Sequence, residues 1–259
     1  MNVTDFTMDM FSLAGKNAIV TGGNTGLGQA FSVALAKAGA NVLTVSMVAE
    51  DGETQQWVED CGGEYLHLDS DITADGECRR AVDTCVTAWG SVDVLVNCAG
   101  ISINIEDVTQ FTRREWDKMV GVNLTAAFEM THEAAKHMIK QRRGKIINIG
   151  SLYSFLGGQW SPAYAATKHG IVGLTKAMCD ELAQFDVQVN AIAPGYFSTK
   201  LTEKTRNDPE RNAAILSHIP ANRWGWTADL MGACVFLASD ASNYVNGTVL
   251  TVDGGYLMR

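Results

Sequence analysis

"VTGGNTGLGQAF", residues 20–31, joins the end of a short apolar run to the start of a helical pattern through glycines at 22, 26 and 28. Glycine tolerates positive φ and lets backbone N–H groups approach a bound group closely. The helix that opens there presents unpaired N–H groups and the positive end of its dipole. A strand, a glycine turn and a helix in that order make a seat for a pyrophosphate. The spacing is G-x-x-x-G-x-G; the G-x-G-x-x-G order is absent, and no Lys-Ser/Thr pair completes a Walker loop. A glycine-rich turn without a ligand is the competing reading of this stretch taken alone.

Outward from the turn the chain keeps alternating. "KNAIVTG" (16–22) precedes it as a strand, and "GQAFSVALAKAGA" (28–40) follows with apolar residues at helical spacing until Gly39. Six further short apolar runs read as strands: "NVLTVSMV", "EYLHL", "VDVLVNCAG", "GKIINIGS", "DVQVNAIAPG" and "GTVLTVDGG". Helical patterns fill roughly 50–60, 74–89, 113–140, 162–184 and 227–239. Nearly continuous Val/Ile/Leu strands separated by helices specify a parallel sheet covered on both faces. No linker or repeat divides residues 1–259, so a single domain is expected, with a helical lid over about 197–226.

The totals exclude some functions. The net charge of −9 without a dense Lys/Arg stripe lacks the electrostatic footprint of a nucleic-acid binder. The six cysteines form no C-x-x-C pair and no metal-ligand spacing with the five histidines, which implies reduced thiols and no metal. The first residues carry Asp5 and Asp9 and no basic residue before Lys16, unlike a secretory signal. No apolar run approaches the roughly 20 residues of a membrane span. A cytoplasmic protein with a small-molecule partner is expected.

"SPAYAATKHG" (161–170) sets Tyr164 and Lys168 four residues apart, on one face of a helix. A free phenol titrates near pKa ~10. A neighbouring ammonium favours the phenolate and lowers that value, which would ready Tyr164 to exchange a proton near neutral pH. An ordinary exposed helix pair is the alternative for these five residues alone.

Taken together, "TGGNTGLG", "NCAG" (97–100), "VNL" (122–124), Ser151 and "YAATK", in that order, resemble the short-chain dehydrogenase/reductase family. The likeness runs through the whole chain from Phe11, and the thirteen-residue separation of Ser151 from Tyr164 fits it. It implies a single Rossmann-like α/β/α domain with a seven-stranded parallel sheet, and a dimer or, the expectation here, a homotetramer. It assigns catalysis to Asn123, Ser151, Tyr164 and Lys168. Lys168 would also bond the nicotinamide ribose, Ser151 would donate to the substrate oxygen, and Asn123 would position a water. The cofactor residues it implies are Gly22, Asn24, Thr25, Gly26, Leu27, Gly28, Ser46, Asp71, Ile72, Asn97, Ala99, Gly100, Tyr164, Lys168, Pro194, Gly195 and Thr199. Cys98 stands where the family usually has a second asparagine.

An acid at the end of the second strand favours NAD in this family, and a cation there favours NADP. Here the position reads Ser46-Met47, with Thr25 in the glycine loop and Glu50 and Asp51 nearby. That points to NAD without forbidding NADP. The stretch from Ile219 to Arg259, with "PGYFSTK" and "AAKHMIKQRRGKIINIGS", is similar to the family's 2-dehydro-3-deoxy-D-gluconate and gluconate 5-dehydrogenases. The implied substrate is a sugar acid, whose carboxylate needs a cation despite the acidic total. Arg206, Arg211 or Lys200 would supply it, with Gln159 and Trp160 lining the pocket beside Ser151 and Tyr164. A 3-oxoacyl-carrier-protein reductase, which calls for NADPH and a basic docking patch, is the rival on the same scaffold. A cofactor-sensing protein without turnover is a third reading, disfavoured because all four catalytic residues are kept. Tyr153, Tyr196 and His169 are expected to pack rather than react.

Overall fold

A computed structural model describes residues 3–259; the expected span of 1–259 also includes Met1 and Asn2, which lie outside the described residues. Seven strands form one all-parallel sheet in the order β3-β2-β1-β4-β5-β6-β7. They are β1 Asn17–Thr21, β2 Asn41–Ser46, β3 Tyr65–Asp69, β4 Val94–Asn97, β5 Gly144–Ile149, β6 Val187–Pro194 and β7 Val249–Val252. The helices are α1 Gly26–Lys37, α2 Glu53–Glu59, α3 Glu77–Trp89, α4 Arg113–Val120, α5 Ala126–Gln141, α6 Pro162–Leu182, α7 Glu203–Arg206, α8 Pro209–His218 and α9 Met231–Ala238. This is the Rossmann-like three-layer architecture expected of the strand–helix alternation.

Two buried clusters account for the layers. On one face Val20, Val42, Val96 and Ile147 pack with Phe31 and Leu35 of α1 and Leu237 of α9. On the other face Ile19, Leu43, Leu95 and Ile146 pack with Val82 of α3 and Met130 and Met138 of α5. Successive strand residues point to opposite faces, and both faces are covered, so the strands read as unbroken apolar runs. In a parallel sheet all carboxyl ends lie on one edge. The strand order reverses between β1 and β4, and the crevice there is where a dinucleotide fits an open α/β sheet.

The opposite edge is fastened by polar groups. The Asn17 backbone N–H donates to Asp93 Oδ2 at 3.0 Å, and Arg143 Nη2 meets Asp93 Oδ1 at 2.7 Å. Lys145 donates to Asn243 Oδ1 at 2.8 Å and Ser242 Oγ at 3.2 Å. Burial pulls its ammonium down to about 8.

The helix expected over 113–140 is interrupted. Between α4 and α5 the chain widens into a π-helical turn, Gly121–Thr125, which contains Asn123. Such single π turns recur at functional sites. The segment expected as a lid leaves β6 and returns through α7 and α8. Its base is closed by the Ser198 N–H on Gly225 O and the Gly225 N–H on Tyr196 O, each at 2.9 Å. Among the described residues no helix is long and apolar enough to cross a membrane.

Candidate active site

The carboxyl ends of β1, β4, β5 and β6 converge with the first two turns of α6. Pro162 opens α6, where its missing N–H removes no helix bond. Tyr164 and Lys168 follow on the same face, with Lys168 Nζ 5.6 Å from the centroid of the Tyr164 ring. Lys168 is 5% exposed and donates to the carbonyl of Ile149, the last residue of β5, at 2.7 Å. Ser151 lies two residues beyond that strand end, its hydroxyl close to Tyr164 and accepting from the Tyr153 N–H at 3.2 Å. Ser154 Oγ donates to Lys168 O at 2.8 Å and fastens the helix to this turn.

The π turn delivers the fourth residue. Asn123 Oδ1 accepts from the Ile101 N–H at 2.8 Å, and Nδ2 donates to Ile101 O at 2.9 Å and Thr167 Oγ1 at 3.3 Å. Gly100 sits between Asn123 and Lys168. A Cβ there would lie 3.4 Å from Asn123 Oδ1 and 3.8 Å from Lys168 Nζ. The glycine therefore leaves that gap open, and the sequence residues Asn123, Ser151, Tyr164 and Lys168 are brought together around it.

The expected lowering of the Tyr164 pKa by Lys168 is corrected by the geometry. Burial raises the phenol above its ordinary value, and the Ser151 hydrogen bond opposes it. Lys168 stands over the ring and is bonded elsewhere. Burial of Lys168 pulls its own ammonium down to about 8. A lysine in that range gives up and regains a proton far more readily near neutral pH than an exposed one. Cys98 is held up at about 12, with burial dominant and the Lys168 charge opposing, so its thiol stays protonated and inert.

The glycine turn forms a cradle. Gly22 has φ +64°, and a Cβ on Gly28 would stand 2.1 Å from Gly22 O. Thr21 Oγ1 accepts from the N–H groups of Cys98 and Ala99, each at 3.0 Å, holding the ends of β1 and β4 together. Thr25 is the N-cap of α1, and Gly26 and Leu27 are its first residues. Asn24 is buried and donates to Val48 O at 2.7 Å, tying this loop to the one after β2, while its Oδ1 has no partner among the described residues. The narrow backbone seat and the unpartnered amide oxygen fit a dinucleotide. Gly28→Ala should displace the loop, lower Tm by a destabilisation of about 1–3 kcal/mol, and weaken dinucleotide binding at least about tenfold. Thermal unfolding and fluorescence titration measure the two effects.

Asn97 braces the same crevice through Asn148 Oδ1 at 2.8 Å, Thr131 Oγ1 at 3.0 Å and Ala127 O at 3.3 Å. Asp71 is exposed, and its hydrogen bonds from Thr73 hold its carboxyl below the usual range. Ile72 beside it is buried. Pro194 ends β6, and Gly195 follows so close to β7 that a Cβ would meet Asp253 Cα at 2.6 Å. Thr199 follows, its carbonyl accepting from Arg206 Nη2 at 3.1 Å.

At the end of β2, Ser46 Oγ accepts from the Val48 N–H at 3.1 Å. The carboxylate of Glu50, expected to oppose an extra phosphate here, turns inward. Tyr65 donates to its Oε2, the Gly52 N–H reaches its Oε1 at 3.1 Å, and its side chain is 12% exposed. Only Asp51 of the two acids remains open to solvent.

On the substrate side, Arg211 lies 4.7 Å over the Trp160 ring but faces Asp208 at 3.5 Å and Glu106 at 3.8 Å. Arg206 Nε is buried without a partner among the described residues. Lys200 and Gln159 are exposed. Trp160 has φ +67°, a left-handed conformation unusual for a bulky residue, and its carbonyl accepts from Ile105 N–H at 2.9 Å. Tyr153, expected only to pack, stands directly beside Tyr164, and Tyr196, expected likewise, meets Tyr153. The one signal for them in the sequence is their place next to Ser151 and Pro194-Gly195. His169 bonds Ala165 O within its own helix, as expected.

Comparison with known proteins places this geometry in context. A family profile described as Enoyl-(Acyl carrier protein) reductase matches residues 22–257. The chain is 60% identical over 254 residues to "Uncharacterized oxidoreductase YgcW" of Escherichia coli (strain K12), covering 98% of this chain and 97% of that one. It is 46% identical over 253 residues to the 2-dehydro-3-deoxy-D-gluconate 5-dehydrogenase of the same organism, covering 97% and 99%. A crystal structure described as a putative 2-deoxy-d-gluconate 3-dehydrogenase from Agrobacterium tumefaciens with bound NADP superposes with a TM-score of 0.89 at 47% identity, covering 96% and 99%.

Proposed function

The chain belongs to the short-chain dehydrogenase/reductase family, and from that premise we propose that it interconverts a secondary alcohol and a ketone on a sugar acid with NAD(H), as a 2-dehydro-3-deoxy-D-gluconate 5-dehydrogenase. That it is a nicotinamide-dependent oxidoreductase acting on CH–OH groups follows from the family and its dehydrogenase relatives. The sugar acid and the choice of NAD are the proposal. Supporting the dehydrogenase reading is one arrangement: a phenol and a buried ammonium on one helix face, in a fold whose first turn is a glycine cradle.

A bound nicotinamide dinucleotide would rest on Gly22, Gly26 and Gly28 and accept or supply the hydride. Tyr164 takes the proton of the substrate hydroxyl in oxidation and returns it in reduction. Ser151 donates to the same oxygen and steadies the charge that develops on it. Lys168 orients the ribose and relays the proton from Tyr164. Asn123 fixes the loop after β4 at Ile101 and directs a water toward Lys168.

NAD is supported by the lack of any Lys or Arg in 22–30 and 46–56. The inward turn of Glu50 leaves Asp51 as the open acid against a 2′-phosphate. For the substrate carboxylate, Arg206 is favoured over Arg211, because two carboxylates already face Arg211. The test is a panel of C6 sugar acids assayed with each dinucleotide by absorbance at the nicotinamide band. The expected result is turnover of 2-dehydro-3-deoxy-D-gluconate or gluconate, with the larger kcat/KM for NAD. Arg206→Ala should raise the KM for the acid about tenfold or more. Turnover of an acetoacetyl thioester with NADPH alone sinks this reading in favour of the carrier-protein reductase. The homotetramer rests on the family resemblance; the exposed Trp116 and Phe128 of α4 and α5 suit such an interface, and light scattering tests it.

A further inference from the structure

Three tyrosines from distant parts of the chain line up beside the reacting one. The Tyr153 ring meets Tyr164 edge-on, with centroids 5.8 Å apart. Its hydroxyl lies 3.4 Å from that of Tyr196. Tyr196 in turn packs against Tyr256, with ring centroids 5.2 Å apart. Each phenol has one proton to donate and two lone pairs to offer. The single contact between the hydroxyls of Tyr153 and Tyr196 leaves donor and acceptor capacity unused along the row. Burial keeps Tyr196 far above the ordinary range for phenols, so it remains a neutral donor.

The row is built rigidly, and its far end belongs to the carboxyl-terminal turn. Asp253 caps that turn, Oδ1 accepting from the Gly255 N–H at 2.8 Å and Oδ2 from the Leu257 N–H at 2.9 Å. Tyr256 packs on His218 of α8 with centroids 4.3 Å apart. The Ala221 N–H donates to Gly254 O at 3.0 Å, and Arg259 Nη1 to Ser217 O at 3.3 Å. A Cβ on Gly255 would meet Pro220 at 2.9 Å. From the other side Trp224 meets the Tyr196 ring edge-on at 5.4 Å and is itself fixed by Asn212 Oδ1 at 2.7 Å. Tyr196 is thus gripped between the end of the chain and the segment that carries α8.

We propose that the Tyr153–Tyr196–Tyr256 row is the subsite for the chain hydroxyls of the substrate. Tyr153 and Tyr196 determine specificity for a polyhydroxy acid, and Tyr256 is a positioning residue that holds Tyr196 in line. A row of neutral hydroxyls that both donate and accept matches a row of substrate hydroxyls that do the same. A site built to bond hydroxyls also discriminates against analogues lacking them, because its own groups are then left unpaired.

This inference rests on the sugar-acid reading above, and the test separates the two. Steady-state kinetics of Tyr153→Phe, Tyr196→Phe, Tyr256→Ala and Tyr256→Phe are compared for gluconate and for 2-dehydro-3-deoxy-D-gluconate, in which the C2 hydroxyl is a ketone and the C3 hydroxyl is missing. Dinucleotide affinity is measured by fluorescence. Each phenylalanine at 153 or 196 should lower kcat/KM by about tenfold, chiefly through KM, and should change the ratio between the two acids. Tyr256→Ala should raise KM likewise, and Tyr256→Phe, which keeps the ring against Tyr196 and His218, should recover most of the loss. Dinucleotide affinity should not move. Wild-type turnover with unaltered KM and ratio in the variants overturns this inference alone. No wild-type turnover of either acid overturns the sugar-acid reading together with it.

Discussion

Tyr164→Phe should lower kcat by about 10²- to 10⁴-fold while the protein folds normally and binds dinucleotide as before. The substitution removes one oxygen and keeps the ring. The edge contact with Tyr153 and the place of Lys168 over the ring face persist. What vanishes is the group that exchanges a proton with the substrate oxygen. Ser151 remains within reach, but an aliphatic hydroxyl is a far weaker acid than a phenol, and it supplies only a stabilising hydrogen bond. The loss should therefore fall on kcat, with KM for the dinucleotide unchanged. Stopped-flow measurement of nicotinamide absorbance in a single turnover checks it. Undiminished turnover by the folded variant removes Tyr164 from the chemistry.

Lys168→Met should also abolish most turnover, yet make the protein more stable at neutral pH. The ammonium is 5% exposed, and burial lowers its pKa from 10.5 to about 8. That shift corresponds to about 3 kcal/mol of strain in the charged form. Losing the bond to Ile149 O returns about 1 kcal/mol of this, so a net gain of about 2 kcal/mol is expected. The sign follows from proton linkage. Between about pH 8 and 10.5 the folded lysine is neutral while the unfolded one is still charged, so wild-type stability climbs through that window. The advantage of the methionine is full below about pH 8 and gone above 10.5. Lys145 shifts the same way, but it is present in both proteins and cancels. Urea unfolding of both proteins at pH 7 and above pH 10.5 decides it: a variant less stable at pH 7, or a difference that ignores pH, contradicts this account.

Much of this was legible because the relevant physics is local. The glycine turn declares itself through its spacing, with Gly28 leaving no room for a side chain, and the Tyr164–Lys168 pair through helical spacing. The sheet follows from apolar runs covered on both faces. Three features were not legible. The π turn at Gly121–Thr125 leaves no mark in the hydrophobic spacing, and the bonds of Asn123 to the backbone of Ile101 join distant parts of the sequence. Glu50 looked like an outward acid, but Tyr65, fifteen residues on, captures it. The tyrosine row joins positions 153, 196 and 256, and sequence proximity says nothing about such a meeting.

The two ends of the parallel sheet are chemically unlike, and that has a practical meaning. Asn17, Asp93, Arg143 and Lys145 tie down the amino ends of the strands, and the reacting groups occupy the carboxyl ends. Heat tolerance can therefore be tuned from below, by repacking around Lys145, without disturbing catalysis above. Selection for new substrates has a separate workshop, in the long excursion after β6 and the last few residues of the chain. A scaffold partitioned in this way can be hardened and retrained independently.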